Sequence, residues 1–178
     1  MAEGGPARRR REVVVALARG AGVAAPVLGL LEGGRTAALP AGEETDMAVL
    51  QAAVALEHQA IALYDAGLGR GLFPAGLRVY AVEFRGDHLG HRDTQVAIVE
   101  ERGGRAPEAR RDYLFGPLGS GEQLLRQAVE IEGAAQQAYT TLISQIRSRD
   151  YLLSAAFILV DEVRHLTVWR RVLGLRIY

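Results

Sequence analysis

Eight residues of ligand-forming or hydrogen-bonding type recur in the chain at fixed intervals. Glu57 and Tyr64 are answered by Glu132 and Tyr139 at an offset of 75 residues, and His88 and His91 by Glu162 and His165 at an offset of 74. The Glu-to-Tyr interval is seven residues and the other interval is three, so the members of each pair share one face of an α-helix. Four such helices packed roughly 8 to 10 Å apart would gather three carboxylates and three imidazoles at one level of a core. Burying three carboxylates together is very costly unless cations neutralise them. Two divalent metal ions would do so. Carboxylate oxygens and imidazole nitrogens suit iron first and manganese second, with zinc also compatible, and the tyrosines could hydrogen-bond to the ligating carboxylates.

Several neighbours compete for these roles. His58 follows Glu57, but its counterpart in the repeat is Gly133, which makes it a surface or supporting histidine. Glu130 lies on a different helical face from Glu132. Asp87 stands four residues before His91 and Glu83 about two turns away, so either could replace His88; the shared three-residue spacing favours His88. Glu162 with His165 could instead form a simple hydrogen-bonded pair, Tyr64 and Tyr139 could be ordinary core tyrosines, and Trp169 reads as core packing.

The elements that must position these residues are helical. Asp46 is a natural N-cap for a first helix from Met47 to about Ala66, closed by Gly67-Leu68-Gly69. Pro74 suits the first turn of a second helix that runs to about Arg102, before Gly103-Gly104. Ser120 and Gln123 form a capping-box signature for a third, from about Gly121 to Arg147. Asp150 caps a fourth to about Leu173, with Leu153, Phe157, Val160, Val163 and Trp169 among its apolar positions. Short connections join the first to the second and the third to the fourth, and the stretch from Gly103 to Gly119 forms a long crossover. The expected fold is an all-α four-helix bundle of two antiparallel hairpins.

Composition narrows the chemistry. The 178 residues carry 21 basic and 21 acidic side chains, and every basic one is arginine. Without lysine there is no Schiff-base chemistry, and without cysteine there are no disulfides, thiolate catalysis or iron–sulfur clusters. The balanced charge argues against nucleic acid as a partner. The first 41 residues differ from the rest. They open on Arg8-Arg9-Arg10-Arg11, continue as an apolar stretch broken by Arg19, and end on small residues at Thr36-Ala37-Ala38-Leu39-Pro40-Ala41. That order predicts an export signal of twin-arginine type over 1–41, ahead of the bundle over 42–178, and hence an extracytoplasmic protein. An uncleaved anchor, which would be the sole membrane contact, and a plain N-terminal extension are the alternatives.

With these residues in view, the sequence resembles the ferritin-like superfamily of di-iron and di-manganese carboxylate proteins, in which two helices each give one Glu and the other two each give Glu-x-x-His. Glu57 and Glu132 match the single glutamates, and Glu162-Val163-Arg164-His165 is a full Glu-x-x-His. His88-Leu89-Gly90-His91 departs from the pattern, with histidine where the family has a metal-bridging glutamate. The resemblance spans Asp46 to about Gly174 and is nearest to exported bacterial members. It implies a dinuclear site held by Glu57, His88, His91, Glu132, Glu162 and His165, with dioxygen or hydrogen peroxide as substrate. It also implies Tyr64 and Tyr139 as residues that orient carboxylates or supply an electron, and a homodimer through the first two helices. An iron-storage cage is not expected, because only 13 residues follow His165, and without cysteine neither is a rubredoxin-type relay. The alternative function is a non-catalytic exported bundle, with one metal or none, of the stress or desiccation type.

Overall fold

The structure is a computed structural model that describes residues 43–144 and 146–177. The expected export segment over 1–41 lies outside the described residues. Four helices follow in order: α1 (Glu43–Gly69), α2 (Arg78–Glu101), α3 (Gly121–Ile143) and α4 (Arg149–Val172), with a short 3-10 turn at Ala75–Leu77 before α2. No strand occurs among the described residues, and the architecture is the all-α bundle of two hairpins. α1 packs along α2 and α3 along α4, and the hairpins meet mainly through α1 and α3.

The helix ends show which local signals governed. Ser120 caps α3, its Oγ accepting from Gln123 N–H at 3.2 Å, while the Gln123 side chain accepts from Gly119 N–H, one residue beyond the usual box. Gly103 has φ of +74° just past α2, a left-handed turn that closes the last α2 carbonyls through Gly103 N–H to Glu100 and Gly104 N–H to Val99. Pro74 precedes the 3-10 turn rather than starting α2, so that helix begins four residues later than expected.

Two acidic caps need correction. α1 begins at Glu43, which leaves Asp46 inside the helix, and α4 begins at Arg149 after Ser148, which leaves Asp150 in its first turn. Asp46 works at long range instead. Buried to 4% exposure, it accepts hydrogen bonds from the backbone N–H groups of Arg147 and Ser148, both at 2.9 Å. Its charge thereby ties the α3–α4 turn to α1 and sits beside the N-terminus of α4, where a negative group is favoured.

Apolar side chains fill the bundle above and below one polar level. At one end Leu63, Tyr64, Phe73, Phe84, Leu124 and Trp169 pack together. At the other Val49, Ala53, Tyr139, Leu142 and Ile158 do so, with Leu50, Val99 and Tyr151 beside them. α1 is long and apolar enough to cross a membrane by composition, yet 67% of that stretch is buried in the bundle, as a core helix requires. Of the apolar α4 positions picked out in the sequence, only Trp169 is buried; Leu153, Phe157, Val160 and Val163 are 50, 73, 66 and 39% exposed. The inward face is Tyr151, Ala155, Ile158, Glu162, His165, Leu166 and Trp169, so the helix carries apolar residues on both faces.

Asp46→Ala removes the charged acceptor of two part-buried N–H donors, a loss of about 1–3 kcal/mol. Thermal denaturation should show the melting temperature falling by roughly 3–10 °C. An unchanged melting temperature would mean that the turn is held by other contacts.

Candidate metal centre

Each helix delivers its share of the polar level from successive inward positions. α1 supplies Glu57, α2 supplies His88 and His91, α3 supplies Glu132, and α4 supplies Glu162 and His165. Glu57, His88, Glu132, Glu162 and His165 are at most 2% exposed, and the His91 side chain is 11% exposed. Two sets of potential donor atoms form, each within 4.8 Å: Glu57, His88, His91 and Glu162 in one, and His88, Glu132, Glu162 and His165 in the other. His88 and Glu162 belong to both and occupy the middle. The His88 ring faces both ways, with Nδ1 at 2.9 Å from Glu57 and 3.6 Å from Glu162, and Nε2 at 3.4 Å from Glu132. His91 Nδ1 stands 3.5 Å from Glu162, and His165 Nδ1 stands 3.5 Å from Glu132.

Hydrogen bonds from behind fix these side chains, and nearly all of them cross between the hairpins. Tyr139 of α3 donates to Glu57 of α1 at 2.5 Å, and Tyr64 of α1 donates to Glu132 of α3. The tyrosine oxygens accept in turn from Gln95 Nε2 at 2.6 Å and Trp169 Nε1 at 2.7 Å. His91 of α2 turns Nε2 to Asp161 of α4 at 3.2 Å, while His165 of α4 turns Nε2 to Asp87 of α2 at 3.1 Å. Arg164 lies between these acids, 2.5 Å from Asp87, 3.3 Å from Glu83 and 3.6 Å from Asp161. An aspartate on Nε2 fixes the orientation of each ring that turns Nδ1 inward, where it would ligate an ion on losing any proton there.

Electrostatics divide the carboxyl groups. Burial alone would raise the Glu57 carboxyl, but His88 and His91 overcome it and hold the group at about 2. Burial likewise opposes ionisation of Glu132, and the His88 and His165 rings reverse this and keep it well below the usual range. Glu162 goes the other way, raised by burial and by its two carboxylate neighbours beyond what His88 and His91 offset. His91 would be lowered by burial, yet Glu162 and Glu57 push it up to about 10, and His88 is raised for the same reason. Burial and the adjoining carboxylates raise both tyrosine hydroxyls, so they stay protonated as donors.

Five buried atoms at this level have no hydrogen-bond partner: Nδ1 of His91, Nδ1 of His165, Oε2 of Glu132 and both oxygens of Glu162. All are of ligand type and all face inward, so the donor set fits a metal ion.

A family model described as a ferritin-like domain matches residues 45–175. The chain belongs to the ferritin-like domain family. Among solved structures, a conserved hypothetical protein from Mycobacterium tuberculosis is similar, at 26% identity and a TM-score of 0.69, over 74% of this chain and 99% of that one. None of the curated proteins matches significantly in sequence.

In this ferritin-like domain the competing residues fall outside the cluster. Asp87 points to His165 and Arg164 as an outer partner, and Glu83 pairs with Arg164. Glu130 is exposed beside Gln127. His58 faces the crossover, 3.1 Å from the Pro107 carbonyl, and its partial burial lowers its pKa. The sequence reading missed Asp161, Arg164 and Gln95 as parts of the framework, and Trp169 as more than packing. A signal for three positions existed: Asp87 to Asp161 and Gln95 to Trp169 repeat the offset of 74.

The pH dependence follows from His91. Its folded value of about 10 lies above the ordinary 6.5, so its contribution to stability is complete below 6.5 and is lost as pH rises through about 10. The raised Glu162 carboxyl acts with the same sign, whereas the depressed Glu57 acts only toward acid. Metal-free protein is expected to melt at progressively lower temperature across this alkaline window, with a flatter profile for His91→Gln. Parallel profiles would remove His91 as the cause.

Proposed function

We propose that this ferritin-like protein is a metal-dependent oxidoreductase of ferroxidase or peroxide-handling type, with a dinuclear iron or manganese site held by Glu57, His88, His91, Glu132, Glu162 and His165. The observation that carries this reading is the convergence of five unpartnered ligand atoms in a buried polar level. Bound ions would exchange electrons with dioxygen or hydrogen peroxide at open coordination positions. The chain's residues divide the remaining work. Asp87 and Asp161 orient His165 and His91, and Tyr64 and Tyr139 hold the carboxylates of Glu132 and Glu57 by donating to them. An apolar cleft lined by Val49, Leu50, Gln95, Tyr139, Ala155 and Ile158 lies behind Tyr139.

The export reading of residues 1–41 belongs to the same proposal. Twin-arginine export of a folded protein would let the site load with metal before crossing the membrane. A homodimer through α1 and α2 is also part of it, supported by Val79 and Val82, which stand 64 and 53% exposed on α2.

A second reading, a non-catalytic bundle with one ion or none, is favoured by His88. Its two ring nitrogens face Glu57 and Glu132, and its raised pKa favours a protonated ring that offsets part of their charge without metal.

Elemental analysis of tag-free protein, produced with iron and manganese both supplied, separates the two. About two ions per chain are expected under the first reading, and none after reconstitution would establish the second. Glu162→Ala should abolish metal binding and lower the melting temperature of the loaded protein, while His58→Ala should leave the metal content intact. His88→Glu should tighten binding of the second ion. Equal metal loss in the Glu162 and His58 variants would defeat the site assignment.

A further inference from the structure

The two donor sets are alike on the inside and unlike on the outside. His165 and His91 are equivalent by the offset of 74, and each turns Nε2 to an aspartate of the other hairpin. Two further layers cover His165. The Phe84 ring stacks on it with centroids 4.0 Å apart, and the Arg164 guanidinium lies 5.6 Å over that ring, held by Asp87 and Glu83. The positions equivalent to Phe84 and Arg164 are Ile158 and Gly90, an aliphatic residue in place of a ring and no side chain in place of a guanidinium. Burial records the difference: the His91 side chain is 11% exposed and that of His165 0%, while no other side chain of the cluster exceeds 2%. Nothing inside the chain requires glycine at position 90. Its backbone is helical, a Cβ there would meet nothing within 4 Å, and glycine weakens a helix relative to alanine. Arg164 shows the direction a side chain takes from this position, across to the acids of the facing helix. At Gly90 the same crossing is left open in front of Asp161.

We propose that the gap over Gly90 is the port through which divalent metal ions enter and leave the buried level, and that Arg164 is the seal that closes the equivalent route on the other side. The set of Glu57, His88, His91 and Glu162 then exchanges quickly with solution, and the set of His88, Glu132, Glu162 and His165 slowly. This rests on the dinuclear reading of the cluster. The hairpins meet mainly through α1 and α3, so the α2–α4 face is bridged by side chains, and the presence or absence of one side chain is enough to close or open it. Charge acts in the same sense. Asp161, 36% exposed and bonded to His91 Nε2, attracts a cation to the open half, whereas the Arg164 guanidinium repels one from the covered half. His88 and Glu162 belong to both sets and link the open half to the covered one. Gly90 and Arg164 are thus not ligands but the residues that make two otherwise similar positions unequal.

Cobalt(II) tests this in the full chain, because its visible absorption reports coordination and its content can be counted. Loaded protein mixed with excess EDTA should lose cobalt in a fast and a slow phase of equal amplitude. Gly90→Leu should slow the fast phase at least about tenfold, since exchange then waits for a local opening of the helices. Leucine fits the open space and favours a helix, so the melting temperature of the metal-free variant should not fall. Arg164→Ala should speed the slow phase, in uptake as well as in loss. A port acts equally on both directions, so Gly90→Leu should slow cobalt uptake by the same factor as cobalt loss and leave the dissociation constant unchanged. Unaltered rates in Gly90→Leu, or slower loss with uptake unaffected, would overturn the port. So would a changed oligomeric state of Gly90→Leu with exchange unaffected, which would assign the open glycine to contact with a second copy. Fewer than two bound cobalt ions in the unsubstituted chain would defeat the dinuclear reading and this proposal with it. Two ions exchanging at rates that neither substitution alters would defeat the port alone.

Discussion

The cost of placing three carboxyl groups in the interior of one small bundle governs the rest of this structure. An isolated buried carboxylate is far more expensive than the whole stability of a domain can carry, so each must be neutralised or protonated by near neighbours. The chain answers with three imidazoles at the same level, a division of the carboxyls into two held ionised and one raised, and tyrosine donors that stay protonated. Every helix must then arrive with the correct residue at that height. This requirement explains why the apolar packing splits into two regions, one above and one below, instead of forming a single continuous core.

The supports of the cluster are shared across the chain in a particular way. The partners of Tyr64, Tyr139, His91 and His165 lie on the opposite hairpin, so these four side chains are held from across the bundle, while His88 bonds Glu57 within its own hairpin. Docking of the hairpins therefore completes the support of the cluster. Outside it, Asp46 binds the turn between α3 and α4 to the start of α1, the same principle applied to backbone donors instead of imidazoles.

Much of this was legible because helical spacing is a strong constraint. A seven-residue Glu-to-Tyr interval found twice, and a three-residue interval found twice, left few ways of arranging four helices, and Ser120 with Gln123 marked the start of α3. What escaped the sequence depended on tertiary position. Asp46 carries the local marks of a cap, yet its partners lie about one hundred residues away, and no local pattern encodes that. Leu153, Phe157 and Val160 are apolar at helical spacing, and only the packing of α4 reveals that Ile158 and Glu162 define the inward face. Asp87 was weighed as a ligand because it neighbours His88, whereas the helical rotation of about 100° per residue sends it to the imidazole of the other hairpin.

The internal repeat also bears on history. A pair of identical hairpins associating about a two-fold axis would form a cluster of this kind, and any substitution in such an assembly would strike both sides at once. Joining the hairpins through the Gly103–Gly119 crossover removes that coupling. One copy can then acquire tryptophan while its twin keeps glutamine, and histidine can replace glutamate at one central position and leave the other untouched. Covalent linkage thus lets such a centre have two distinguishable sides.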